Sequence, residues 1–222
     1  MRYVPCYPAP VKFQPFLRTL TTEQLKDSLR GFNRRFHRDW TCWVAESQHG
    51  LTAPATVSLF QATLKSWNPC RGPKGGVRRS VGSAIECTLP HLRALSGVSL
   101  RSFVDPSPQQ CERILQLWNV LNPSICCNTD AGGVGVSKAI MLLTNGEIGP
   151  ALDGNVRGAF GMSIINSADD LVRAYSAIAT DLRDFEDWND ITVEDLARQV
   201  YPSDCIAVGR IVDMIGGPRE RA

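Results

Sequence analysis

The sequence predicts an all-α protein, and three observations carry that reading. Apolar residues recur every three to four positions through most of the chain. Helix-opening pairs, such as Thr21 with Gln24 and Ser167 with Asp170, stand immediately before those runs. No stretch gives a clear strand pattern, although a few short strands near the N-terminus would be compatible with the sequence. At 222 residues, 43% of them hydrophobic, the chain can bury a proper core, as one large domain or as two helical lobes around a cleft. A boundary near residue 105 would separate an N-terminal helical region (1–105) from a second region (106–222), the two forming one compact unit.

The elements follow in order. After the Thr21–Gln24 capping box, Leu25, Leu29, Phe32 and Phe36 recur at helical spacing. Lys26, Arg30, Arg34 and Arg38 form a basic row on another face of that same expected helix. A second helix starts at Pro54, where proline suits the first turn, and turns Val57, Phe60, Leu64 and Trp67 inward. Residues 68–82 are too rich in glycine and proline for regular structure and carry Arg71, Lys74, Arg78 and Arg79. A short helix is expected after Pro90 and another over 109–121, with Ile114, Leu115 and Trp118. Three helices close the chain. The first buries Leu171, Tyr175, Ile178, Leu182 and Phe185, the second opens at Thr192, and the third opens at Ser203 and stops at Gly216-Gly217-Pro218.

Composition narrows the function classes. No apolar run approaches the ~20 residues of a membrane span, and the first residues lack the apolar core of a secretion leader. The eight cysteines, Cys6, Cys42, Cys70, Cys87, Cys111, Cys126, Cys127 and Cys205, show no paired C-x-x-C spacing. They read as reduced thiols of a cytoplasmic protein without metal or cofactor, and the adjacent Cys126 and Cys127 as small hydrophobes. Net charge is only +2, but 19 of the 24 basic residues are arginines. Arginine grips phosphate with two donors at once, and an arginine bias is also common in GC-rich genomes.

The most informative stretch is Gly132-Gly133-Val134-Gly135-Val136-Ser137-Lys138-Ala139. Two glycines allow a tight turn between helices. The second helix would then present Gly133, Gly135, Val136, Ser137 and Lys138 at its start, with free N–H groups and a dipole that favours an anion such as a DNA phosphate. A run through Met141 and Leu142 and a loop ending at Pro150 lead to Ala151-Leu152-Asp153-Gly154-Asn155-Val156-Arg157.

The order of these residues resembles the helix-hairpin-helix DNA glycosylase superfamily, over roughly residues 110–165, in a divergent prokaryotic branch. The resemblance implies double-stranded DNA as partner, a monomeric protein, and Asp153 as the catalytic carboxylate that stabilises a sugar cation. An aspartate at a helix start is also a plain cap. It further implies DNA contacts from the hairpin residues and from Asn155 and Arg157, joined by Arg78 and Arg79 of the basic loop.

The family's lyase branch carries a lysine where this chain has Ser137. Lys138 is one step further, which turns a helical side chain by ~100°. Lys138 is therefore expected at a phosphate or in solvent, and the chemistry is expected to be monofunctional hydrolysis of a base–sugar bond. Excision also needs a pocket for an extruded base. Among Trp40, Trp43, Trp67, Trp118 and Trp188, the pair Trp40 and Trp43 lies in a polar stretch and is the first choice, with core packing as the alternative. The base would be a damaged one or, by analogy with phage defence, a hypermodified phage base. The competing reading is a non-catalytic helix-hairpin-helix module that clamps DNA.

Overall fold

The computed structural model describes residues 12–67, 69–70, 76–78, 81–127 and 129–220. Among these residues there are ten α-helices and no strand, as the periodicity predicts. They are α1 (Thr22–Arg30), α2 (Arg34–Ser47), α3 (Pro54–Trp67), α4 (Gly82–Ala94), α5 (Pro108–Ile125), α6 (Gly132–Leu143), α7 (Gly154–Ala159), α8 (Ala168–Asn189), α9 (Val193–Val200) and α10 (Val208–Gly216).

Local chemistry sets many of the starts. Thr21, Ser107, Ser167 and Thr192 each accept the amide of the residue three positions on. The helix expected across 21–38 is broken, because Asn33 caps a new helix through the amides of Arg35 and Phe36. Around the break the backbone pairs with the C-terminal tail. The Asn33 amide donates to the Pro218 carbonyl, and the Glu220 amide donates to the Gly31 carbonyl. The basic row is thereby split between two helices, and on α1 Lys26 and Arg30 pair with Glu23 and Asp27. Helix α4 starts at Gly82, well before Pro90, which it contains. Helix α10 starts at Val208 rather than at Ser203.

One hydrophobic core runs from Leu17 to Ile215 and continues across the expected boundary near residue 105. Two helices lie at its centre. Every residue of α6 from Gly135 to Leu143 is buried, and so is every residue of α10. A helix apolar all round is buried all round, yet these two also carry Ser137, Lys138, Arg210 and Asp213 inward. No described helix is long and apolar enough to cross a membrane.

The expectation of reduced cysteines is corrected at two positions. Cys70 and Cys126 form a disulfide with Cα atoms 5.8 Å apart, within the usual span of the bond. The backbone pairs alongside it. Arg78 N–H donates to Ile125 O, and Cys127 N–H donates to Gly76 O. The stretch that carries Arg78 is therefore fastened to the segment that leads into α6.

Candidate active site

Helix α6 begins at the expected glycines, but they serve the interior rather than a ligand. A Cβ on Gly133 would stand 2.4 Å from the Ile165 Cβ, so only glycine lets segment 162–166 lie against the helix. The Gly133 amide donates to the Ile165 carbonyl, and the Gly132 amide to the Asn122 side chain. The helix start that was expected to offer free donors to a phosphate thus has at least two of them occupied by the protein itself. Gly133, Gly135, Val136 and Ser137 are all buried and do not form an exposed DNA contact.

The hydroxyl of Ser137 donates to the Val134 carbonyl and accepts the Leu152 amide. It holds the segment before Asp153 and is fully enclosed, so the position at which the resemblance would place a nucleophile has a structural hydroxyl. The step of ~100° to the next residue sends Lys138 elsewhere, and not to solvent as expected. Its side chain is 9% exposed and its ammonium lies 3.7 Å from Asp153 Oδ2. The same ammonium donates to the Trp67 carbonyl at 2.8 Å.

Asp153 caps α7. Its Oδ1 accepts the amides of Asn155 and Val156, which leaves Oδ2 facing Lys138. Capping through one oxygen and an ion pair through the other coexist in one side chain that is 21% exposed. Arg157 is half-buried and donates through Nε to the Leu152 carbonyl, while Asn155 is exposed. Arg78 is exposed and donates through Nε to the Cys126 carbonyl. Arg79 lies outside the described residues.

Lys138 and Asp153 line a recess open on one side, of about 280 Å³ counted out to its mouth. Its other walls are Phe32, Phe36, Trp67, Ala151, Arg210, Asp213 and Pro218. Trp40 and Trp43, expected here, are core residues. They are 2% and 0% exposed, and the Trp43 indole N–H donates to the Leu142 carbonyl. Their polar neighbours occupy the outer face of α2, while the tryptophans, three residues apart, share the inner one. The tryptophan at the recess is Trp67, at the end of α3. Arg210 and Asp213 were not singled out in the sequence, although a charged i,i+3 pair inside the apolar run of α10 is a legible signal.

Arg210 and Asp213 pair in full burial. Asp213 Oδ1 also accepts the Ala151 amide, a second anchor for the segment before Asp153. Burial, with the nearby Asp153 charge adding to it, pushes the Asp213 carboxyl up to about 6 against the pull of Arg210. The Arg210 guanidinium sits over the rings of Phe32, Trp40 and Trp67, with its Cζ 4.8, 5.1 and 5.5 Å from their centroids. The recess therefore has two cations and two carboxylates set against an aromatic wall. Among the described residues no cluster of three or more His, Cys, Asp or Glu has the arrangement to hold a metal ion.

Compared with family profiles, curated proteins and solved structures, the chain matches none of them.

Proposed function

We propose that the protein is a DNA glycosylase that breaks the bond between a modified base and deoxyribose at the Asp153 recess. The observation that carries the reading is the Lys138–Asp153 pair lining a recess with aromatic walls. Among the described residues Asp153 Oδ2 accepts no backbone amide and faces only the Lys138 ammonium at 3.7 Å, so its charge can also serve a reacting sugar. As the C1′–N bond breaks, its electron pair leaves with the base and positive charge grows on the sugar ring. A fixed carboxylate stabilises that charge. Water then adds at C1′ and its proton passes to Asp153 or to solvent, while the departing base takes up a proton.

Double-stranded DNA would meet this site from the side of α2. Arg34, Arg35 and Arg38 are exposed on that helix. They, with Arg157, take the phosphate role that the buried hairpin residues do not fill. Whether the base is damaged or a phage modification is open to the same assay.

The test is single-turnover excision on duplexes that each carry one modified base, scored as breaks after alkali. Asp153→Asn keeps the cap and removes the charge, so excision should fall by roughly 10²–10³ while melting changes little. An Asp153→Asn protein that cuts at the wild-type rate, or a wild type that cuts no duplex in a broad panel, would end the proposal.

The position of Lys138 favours a second reading of the same site. An amine beside the sugar, once its ammonium has passed a proton to the departing base, can itself add to C1′ in place of water, and breaking of the C1′–O4′ bond then gives an iminium that borohydride traps as a protein–DNA adduct. An adduct formed by wild type and lost in Lys138→Ala would replace the monofunctional expectation. Intact abasic sites with no adduct would retain it.

A further inference from the structure

Two residues that line the recess each carry a buried donor that meets no acceptor among the described residues. Trp67 is 6% exposed, and its buried indole N–H has no hydrogen-bond partner among the described residues. Arg210 directs Nη1 to Asp213 and Nη2 to the Phe36 carbonyl, and its Nε–H has none. The contrast with Trp43, whose indole is satisfied by Leu142, shows that this core does provide for its tryptophans elsewhere. A buried donor without a partner costs about 1–3 kcal/mol, so two of them on one cavity are a statement about what the cavity accepts.

The acceptors of the same recess are largely taken. Asp213 has one oxygen on Arg210 and the other on the Ala151 amide. Asp153 has one oxygen on two amides and the other beside Lys138. The inner wall thus offers N–H groups and few lone pairs. The aromatic contacts of Arg210 hold its guanidinium in place, so the donor is set before any ligand arrives.

We infer that the recess selects a base with an oxo group on the edge away from the sugar, and rejects its amino counterpart. The oxo oxygen accepts from Trp67 Nε1 and Arg210 Nε. An exocyclic amine in its place sets donor against donor. This inference rests on the glycosylase reading and names its substrate class. Water centres can occupy only about 30 Å³ of the recess, enough for one or two molecules. Neither donor is open to that water, so the base edge reaches them only as the wall beside the half-buried Phe36 gives way and the ring follows.

The experiment has two arms. In the first, single-turnover excision is compared on duplexes carrying uracil or hypoxanthine and on duplexes carrying 5-methylcytosine or 3-methyladenine. Trp67→Phe, which keeps a ring and removes the N–H, is run beside wild type. The oxo bases should be cut preferentially, and Trp67→Phe should lose about tenfold on them, the worth of one buried hydrogen bond. Binding of a duplex with a tetrahydrofuran abasic analogue should not change.

In the second arm, free hypoxanthine and unsubstituted purine are titrated into ¹⁵N-labelled wild type. The Trp67 indole signal is assigned from its contacts to Arg210 and Phe36. It should move downfield with hypoxanthine and not with purine.

Equal cutting of oxo and amino bases, an unmoved indole signal, or full activity in a folded Trp67→Phe would overturn the inference while leaving a glycosylase in place. A shifted signal without excision from any duplex would keep the oxo-selective recess and remove the glycosylase. Silence in both arms would remove both. If Trp67→Phe does not fold, the wild-type titration decides.

Discussion

Two ionic clusters in this protein have similar composition and opposite settings. Arg101, in the 3-10 turn at Leu100–Val104, forks between Glu186 of α8 and Glu194 of α9. It is 36% exposed, its donors point at carboxylates, and the cluster ties three elements together at the surface. Arg210 and Asp213 form the other cluster, buried beside Lys138 and Asp153 around a recess. Its charges have been taken out of water, and buried donors of Trp67 and Arg210 have no partner among the described residues. The first cluster is explained by holding elements together. The second costs more than an apolar core commonly does, and that excess is why we propose a site there.

The largest effect expected from this contrast is at Arg210. Arg210→Met leaves Asp213 buried without its cation, a loss of about 3–5 kcal/mol. Thermal melting should fall by roughly 10 °C, and adding Asp213→Leu should recover most of it. A single variant that melts like wild type would erase the distinction between the clusters.

A smaller effect sharpens it through pH. The folded carboxyl of Asp213 titrates at about 6, above an unfolded aspartate, so the folded state holds the proton more tightly. Stability contributed by this group is therefore present at about pH 4 and is lost as pH rises through about 6. Urea midpoints taken from about pH 4 to about pH 7 should show that decline in wild type, and Asp213→Asn should lack it. Asp181 and Glu147 also titrate high because of burial, but both variants share them and the difference isolates Asp213. Parallel curves for the two proteins would show that Asp213 does not titrate in this range.

The smallest effect belongs to the surface cluster. Arg101→Met should cost about 1 kcal/mol, a few degrees of melting, and less in high salt. Excision should be unchanged. Lost excision in a folded Arg101→Met would mean that the two clusters are coupled.

Much of the fold was legible because its causes are local. Pro54 opens α3, Ser167 caps α8, and Leu171, Tyr175, Ile178, Leu182 and Phe185 are all fully buried, as their spacing predicts. The break at 31–33 carried a local signal in the Asn33 cap, which the apolar spacing running through it masked, and its backbone partners Pro218 and Glu220, at the other end of the chain, were not legible. The site divides in the same way. Asp153 announces itself through its cap, a contact two to three residues long. The direction of Lys138 depends on the Trp67 carbonyl, 71 residues away, which no local pattern encodes. Trp40 and Trp43 misled because polar neighbours in sequence are not neighbours across a helix.

The disulfide between Cys70 and Cys126 has a consequence for the unfolded chain rather than for the site. It bridges a sequence separation of 56, with α4 and the whole of α5 inside the ring it closes. A tethered ring has far fewer configurations to explore when the protein comes apart, and for this length the restriction is worth roughly 4 kcal/mol. Thermal endurance is thereby tied to the thiol–disulfide poise of the surroundings. The same sequence is a tougher molecule in an oxidising medium than in a reducing one.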